Sequence, residues 1–189
     1  MKNITLIIPA KHEKESLPRV LHELNDYNLN ITIILEKSDV ETIEAIKDFN
    51  CKIIYQNKKG YGDALIQGIK NVETPLFCIF NADGSFNPNE IKILIDELEE
   101  KKGDLIFASR YEKNASSDDD DFITFIGNKF FSFFSRVFLR IKISDILYTY
   151  VLCNVKKFNN LNLKSEDFRL CIELPFEISQ SNSLYCDLP

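Results

Sequence analysis

From residue 4 to residue 108, short β-branched apolar runs alternate with segments whose apolar residues recur every three or four positions. The run at 4–8 is closed by Pro9 and reads as a buried strand. In 16–24, Leu17, Val20, Leu21 and Leu24 fall on one helical face, with Ser16 placed to cap the helix and Pro18 tolerated in its first turn. The same reading predicts strands at 31–35, 53–55, 76–80 and 105–108. It predicts helices at 40–49, with Val40, Ile43 and Ile46 on its apolar face and Ser38 as cap, at 61–72, and at 88–98. Strands and helices alternating at this interval imply a mostly parallel sheet covered by helices on both faces, an α/β fold.

In such folds ligands sit beyond the carboxyl ends of the strands. That singles out 9–15, 35–39, 57–62, 81–85 and 109–111. Composition removes several alternatives. With 23 Lys and Arg against 29 Asp and Glu, the net charge of -6 carries no electrostatic footprint for nucleic acid. The five cysteines show no CxxC spacing, and His12 and His22 have no partner at a zinc-ligand interval, which argues against a zinc site or a disulfide framework. The first apolar run is too short for a secretory h-region, and no run approaches the roughly 18 uncharged apolar residues of a membrane span. The expected location is therefore cytoplasmic.

Two segments carry candidate chemistry. In 80–90, Asn81, Ala82 and Asp83 form a turn after a buried strand and before a Pro-initiated helix. A carboxylate there can hold Mg²⁺ or Mn²⁺ against a diphosphate, since such ions take one or two protein carboxylates plus substrate oxygens. Taken alone, Asn-Ala-Asp-Gly is explained by plain turn chemistry. In 57–69, Gly60, Gly62 and Gly68 allow backbone to approach a ligand next to a helix start; structural glycines are the alternative, and the pattern is neither a P-loop nor a dinucleotide fingerprint.

Taken together, IIPAKHEKESL, ILEKSDVET, NKKGYGDALIQG, FNADGSFNPNE, GDLIFASRY and KISDILYTY resemble, in order and spacing, the motifs of family 2 glycosyltransferases of the GT-A fold. They resemble the branch that acts on polyprenyl phosphates, relatives of dolichyl-phosphate mannosyltransferase. The resemblance implies a nucleotide-diphosphosugar donor and transfer with inversion. It places Pro9, Ala10, Lys11, Glu13 and Glu36 around the nucleoside, with Gly60, Gly62, Asn81 and Ala82 lining the donor site. It makes Asp83 the metal and diphosphate ligand, Arg110 the phosphate-neutralising group, and Asp145 the acidic residue near the acceptor and candidate base for a hydroxyl acceptor. Residues 1–111 then form the nucleotide-sugar half and 112–189 the acceptor half of one glycosyltransferase domain.

The departures are specific. Leu35 and Asn81 stand where the family has acidic residues, the neutral Asn81 in place of a carboxylate weakens the case for a cation, and Thr149 stands where many relatives have glycine. Asp118 to Asp121, an acidic run, replaces basic residues of some lipid-acceptor enzymes; as a solvated loop it needs no function, and as a lid it would lie near the sugar. The chain has no Trp, hence no Gln-x-x-Arg-Trp motif of processive synthases. Within 122–143, Ile126, Phe130, Phe133, Phe134, Val137, Phe138 and Ile141 share one helical face, suited either to a membrane interface or to packing on the sheet. Residues 181–189 read as the start of a strand that relatives continue, which implies a shortened family member. An inactive nucleotide-sugar-binding protein of the same fold is the second reading, and an α/β interaction domain the third.

Overall fold

The computed structural model describes residues 3–109, 130, 133, 135–137, 141, 143–181 and 183–188. Within them, β1 (Ile4–Pro9), β2 (Asn30–Leu35), β3 (Lys52–Tyr55), β4 (Leu76–Ile79), β5 (Leu105–Ala108), β6 (Val151–Asn154) and β7 (Tyr185–Leu188) make one sheet in the order β3-β2-β1-β4-β6-β5-β7. β1 lies between β2 and β4, parallel to both, with Leu6 opposite Ile31 on one side and Cys78 on the other. β6 runs antiparallel to its neighbours β4 and β5, and β7 is parallel to β5.

Side chains alternate across a strand, so each strand feeds two cores. Leu6, Ile8, Ile33, Leu35, Cys78 and Ile106 face α1 (Ser16–Leu24) and α4 (Glu90–Glu100) through Leu17, Leu21, Leu24, Ile91 and Leu94. Ile7, Ile34, Phe77, Ile79 and Phe107 face α3 (Tyr61–Lys70) and α6 (Leu170–Gln180) through Leu65, Ile69, Leu174 and Ile178. Each such burial contributes about 1.5–3 kcal/mol relative to exposure, so a strand slipped by one residue would lose both cores at once. α2 (Val40–Ala45) and the single turn α5 (Val155–Phe158) are two shorter helices.

Four local expectations change. The helix predicted at 40–49 stops at Ala45, and the chain continues in tighter turns, with Ile46 N–H on the Ile43 carbonyl and Phe49 N–H on the Ile46 carbonyl. Val40 is exposed, and the buried side chains here are Thr42 and Ile46. Neither predicted cap acts as one. Ser16 is already inside α1 and donates to the Glu13 carboxylate, while Asp39, not Ser38, caps α2 by accepting from the Thr42 N–H. Finally, β6 and α6 carry no element in the sequence reading. The strand anticipated near the end of the chain is present as β7.

β6 has a consequence for the site. Because it runs against its neighbours, the segment that enters it, 147–150, lies at the same sheet edge as the carboxyl ends of β1 and β4. Most of 122–143 and all of 110–129, including Arg110 and the acidic run, lie outside the described residues. Among the described ones, Phe130, Phe133 and Val137 are exposed at 63%, 65% and 53%, whereas Ile141 and Ile143 are buried. Among the described residues, no helix is long and apolar enough to cross a membrane.

Candidate active site

A cleft of about 480 Å³ opens along the carboxyl edge of the parallel strands. Reading along the sheet, its lining runs from Gln56 after β3, through Glu36 after β2 and Pro9, Ala10, Lys11 and Glu13 after β1, to Asn81, Ala82 and Asp83 after β4. Leu147 and Thr149, ahead of β6, close the row. Gly60, Tyr61 and Ala64 from α3 and Phe168 and Cys171 from the start of α6 form the side wall. A smaller hollow of about 330 Å³ lies at the opposite strand ends, around Thr5, Asn30 and Thr74.

The turn after β1 is built by buried polar groups. His12 adopts a left-handed backbone (φ 59°), a conformation costly for a residue with a Cβ. Its N–H donates to the Asp39 carboxylate at 2.7 Å, and the next N–H, of Glu13, donates to the fully buried Thr42 hydroxyl at 3.0 Å. Burial pushes the Asp39 carboxyl pKa up, but the bonds from the His12 N–H and from the Thr42 hydroxyl and N–H outweigh it and hold the group below the usual carboxylate range. Asp39 is 6% exposed and thus fixes both the N-terminus of α2 and the loop that carries Lys11 and Glu13. Lys11 pairs with Glu36 at 3.3 Å, joining the ends of β1 and β2.

The Asp83 turn rests on an aromatic base. Phe86 stacks on Tyr150 (centroids 4.5 Å apart, planes at 10°), Phe80 meets both edge-on, and the Tyr150 hydroxyl donates to the Asn87 carbonyl at 3.0 Å. Above it, Asp83 Oδ1 accepts from the Ser85 N–H at 2.9 Å, Asn81 Nδ2 donates to Ser85 Oγ at 3.0 Å, and Gly84 takes a positive φ of 88°. The turn chemistry is therefore real, and Asp83 still presents an exposed carboxylate to the cleft. Among the described residues no three His, Cys, Asp or Glu side chains converge on a metal position. One carboxylate beside an asparagine fits a cation only if the ligand supplies the remaining oxygens, as a diphosphate does.

All the residues assigned to the nucleotide-sugar site line this cleft except Gly62. Gly62 is buried in the first turn of α3 against the backbone of 165–167: a Cβ there would lie 2.8 Å from the Asp167 carbonyl oxygen and closer still to that of Ser165. Gly60 faces the Glu166 backbone in the same way with φ 116°. The close approach that these glycines permit is to the chain's own loop. That loop is clamped by Glu173, whose carboxylate accepts the Lys164 and Ser165 N–H groups at 2.9 and 2.7 Å, and by the Asp63 N–H on the Glu166 carbonyl at 2.9 Å. Asp145 is fully buried and does not line the cleft.

The sequence reading missed Gln56, Leu147, Tyr61, Phe168 and Cys171. Gln56 sits one residue after β3, where the strand-end rule could have reached it. The side wall gives no such signal, because α6 is brought to the site by the glycine contacts. Burial raises the Cys171 thiol to about 11, so it stands in the wall as a neutral group.

The model of the family described as glycosyl transferase family 2 matches residues 5–161, from β1 through β6 and the turn beyond it. The chain belongs to glycosyltransferase family 2. It is 27% identical over 107 residues to an uncharacterised glycosyltransferase of Mycobacterium tuberculosis, covering 57% of this chain and 48% of that one. It is 30% identical over 120 residues to a dolichol-phosphate mannosyltransferase of Pyrococcus furiosus, covering 58% of this chain and 34% of that one. The chain therefore matches about half, or a third, of the length of these relatives. Its fold is GT-A, shared with solved structures far removed in sequence. Glucosyl-3-phosphoglycerate synthase from M. tuberculosis, solved with Mn²⁺, uridine diphosphate and glucosyl-3-phosphoglycerate, superposes with a TM-score of 0.77 at 11% identity, over 98% of this chain and 69% of that one. Mannosyl-3-phosphoglycerate synthase from Rubrobacter xylanophilus gives 0.74 at 14%, over 99% and 65%.

Proposed function

We propose that this family 2 glycosyltransferase moves a sugar from a nucleotide-diphosphosugar to an acceptor within the cleft, with inversion at the anomeric carbon. The observation that carries the reading is the order of groups along one sheet edge: the Lys11, Glu13 and Glu36 pocket, then the exposed carboxylate of Asp83, then a chamber that ends at Leu147. A nucleoside, a diphosphate and a sugar follow one another in the same order. The donor class is supported by the uridine diphosphate named in the M. tuberculosis structure.

In this reading Lys11, Glu13, Glu36 and Gln56 orient the nucleoside, and Asp83 fixes the diphosphate end. Asp83 would hold a divalent cation, which when bound would neutralise charge on the leaving group. The resemblance adds Arg110 to that role. An acceptor oxygen forms its bond to the anomeric carbon on the face opposite the breaking carbon–oxygen bond, whose electrons leave with the diphosphate. With Asp145 buried off the lining, the reading takes an acceptor that is already anionic and needs no base, a polyprenyl phosphate. Peripheral contact of 122–143 with the cytoplasmic face of a membrane belongs to the same proposal, supported by the exposed Phe130, Phe133 and Val137.

Leu35 favours a second reading. It is fully buried in the core, so one acidic position of the family is lost to packing, which suits a protein that binds nucleotide-sugars without turnover. A thermal-shift panel of UDP, GDP, CDP and their sugars, each with and without Mn²⁺ or Mg²⁺, tests the donor site. A ligand confined to the native state raises stability by about RT ln(1 + [L]/Kd), roughly 2.7 kcal/mol at a hundredfold excess over Kd. The expected result is a metal-dependent shift with one base; binding without nucleoside diphosphate release selects the second reading, and no shift with any of them rejects both.

A further inference from the structure

Beyond Asp83 the cleft changes character. Its nucleoside end is charged, but its far end and side wall present Tyr61, Leu147, Phe168 and the neutral Cys171. Phe168 is 72% exposed, although it lines a cleft and belongs to a segment pinned in place. Its ring lies flat on that of Tyr61, with centroids 4.9 Å apart and planes at 10°. Tyr61 is half-buried, and its hydroxyl shares a hydrogen bond of 2.9 Å with Thr149 across the cleft wall. The backbone just before Phe168 is held by Glu173 and by the contacts with Gly60 and Gly62. One aromatic face is thus covered, the other is open, and the ring is fixed before anything binds.

We propose that the open face of Phe168, backed by Tyr61, is a stacking platform for a pyranose ring. The C–H face of a pyranose is apolar while its hydroxyls point outward along the rim, so the ring buries its flat face on an aromatic side chain without losing polar contacts. The platform lines the same cleft as Asp83, and Tyr61 behind it bonds Thr149 at the β6 end of the row, toward which the sugar of a bound donor extends. Flanking Phe168, Asp167 and Arg169 pair at 2.8 Å and supply exposed polar groups at the rim. Tyr61 and Thr149 are positioning residues, since they set the plane of the ring from behind. The inference rests on the donor site proposed above. Two sources supply the same ring chemistry, the transferred sugar of the donor and a saccharide acceptor.

The chain contains no tryptophan, so Phe168→Trp introduces a sole indole at the platform. The full chain carrying this variant is titrated with UDP and GDP, with UDP-glucose and GDP-mannose, and with methyl glucoside, methyl mannoside or farnesyl phosphate added to the nucleoside diphosphate complex. An emission change with a nucleotide-sugar beyond that of its nucleoside diphosphate assigns the ring to the donor; a change on adding a methyl pyranoside assigns it to an acceptor. Phe168→Ala is expected to keep nucleoside diphosphate affinity while losing about 3- to 10-fold in the added affinity of the sugar, the size of one aromatic contact. Thr149→Gly is expected to give part of that loss. Unchanged emission with every sugar, in a protein that binds the nucleoside diphosphate, overturns the platform alone. A response to farnesyl phosphate only overturns it in favour of an isoprenoid chain, and failure to bind any nucleoside diphosphate overturns the donor site as well.

Discussion

Asp83→Asn is expected to remove the metal-linked part of nucleotide affinity and to lower turnover on the order of 100-fold, as loss of one preorganised charge-stabilising group does in other enzymes. The choice of asparagine separates two roles of this side chain. Its amide oxygen can still accept from the Ser85 N–H, so the turn that Asp83 closes at 2.9 Å survives, and stability is expected to stay within about 0.5 kcal/mol for so exposed a position. What is lost is the negative charge that, with the diphosphate, would hold a cation. Asp83→Ala should bind as poorly and in addition loosen the turn. Titration calorimetry with the preferred nucleoside diphosphate, with and without Mn²⁺, reads the difference. An unchanged metal dependence in the asparagine variant would take Asp83 out of the site.

Gly62→Ala should destabilise the protein by about 3 kcal/mol, at the upper end of what overpacking costs. The sign is informative, because glycine to alanine within a helix is ordinarily stabilising by about 1 kcal/mol. Here the new methyl meets backbone, 2.8 Å from the Asp167 carbonyl oxygen and 2.9 Å from the Glu166 carbonyl carbon, in a loop clamped by Glu173 and unable to yield. The displacement would pass to Phe168 and the start of α6, so ligand affinity falls with stability. Gly103→Ala is the control: its nearest atoms would stand at 3.4–3.7 Å, ordinary contact. Urea denaturation of the two variants checks the contrast, and a Gly62→Ala protein as stable as its parent would show that the 165–167 loop is free to move.

The parallel half of the sheet was legible because strands buried on both faces are almost wholly apolar, as 4–8 and 31–35 are. β6 was not. Its four residues pair antiparallel with β4 and β5 from far along the chain, and nothing local in Val-Leu-Cys-Asn fixes that direction. α6 carries Pro175 in its interior, which obscures a helical reading. The polar end of the cleft was readable from motif order, as Pro9, Glu13, Glu36 and Asp83 line it. Its aromatic wall was not, because Phe168 reaches the site through tertiary contacts of 164–167 with Gly60, Gly62, Asp63 and Glu173. Asp39 carries no local signal for its second role: the sequence reading takes Ser38 as the cap of α2, and the His12 N–H that Asp39 also accepts comes from a distant loop.

The central claim is that a nucleoside diphosphate and its cation occupy the carboxyl edge of the sheet. Backbone NMR of the labelled protein, titrated with UDP or GDP and then with Mn²⁺, tests it directly, because the paramagnetic ion broadens only nearby amides. The predicted result is nucleotide-induced shifts at Ala10 to Glu13, Glu36, Gln56 and Gly60, followed by Mn²⁺ broadening centred on Asn81 to Ser85. Shifts and broadening gathered instead at the opposite strand ends, around Thr5, Asn30 and Thr74, would contradict it.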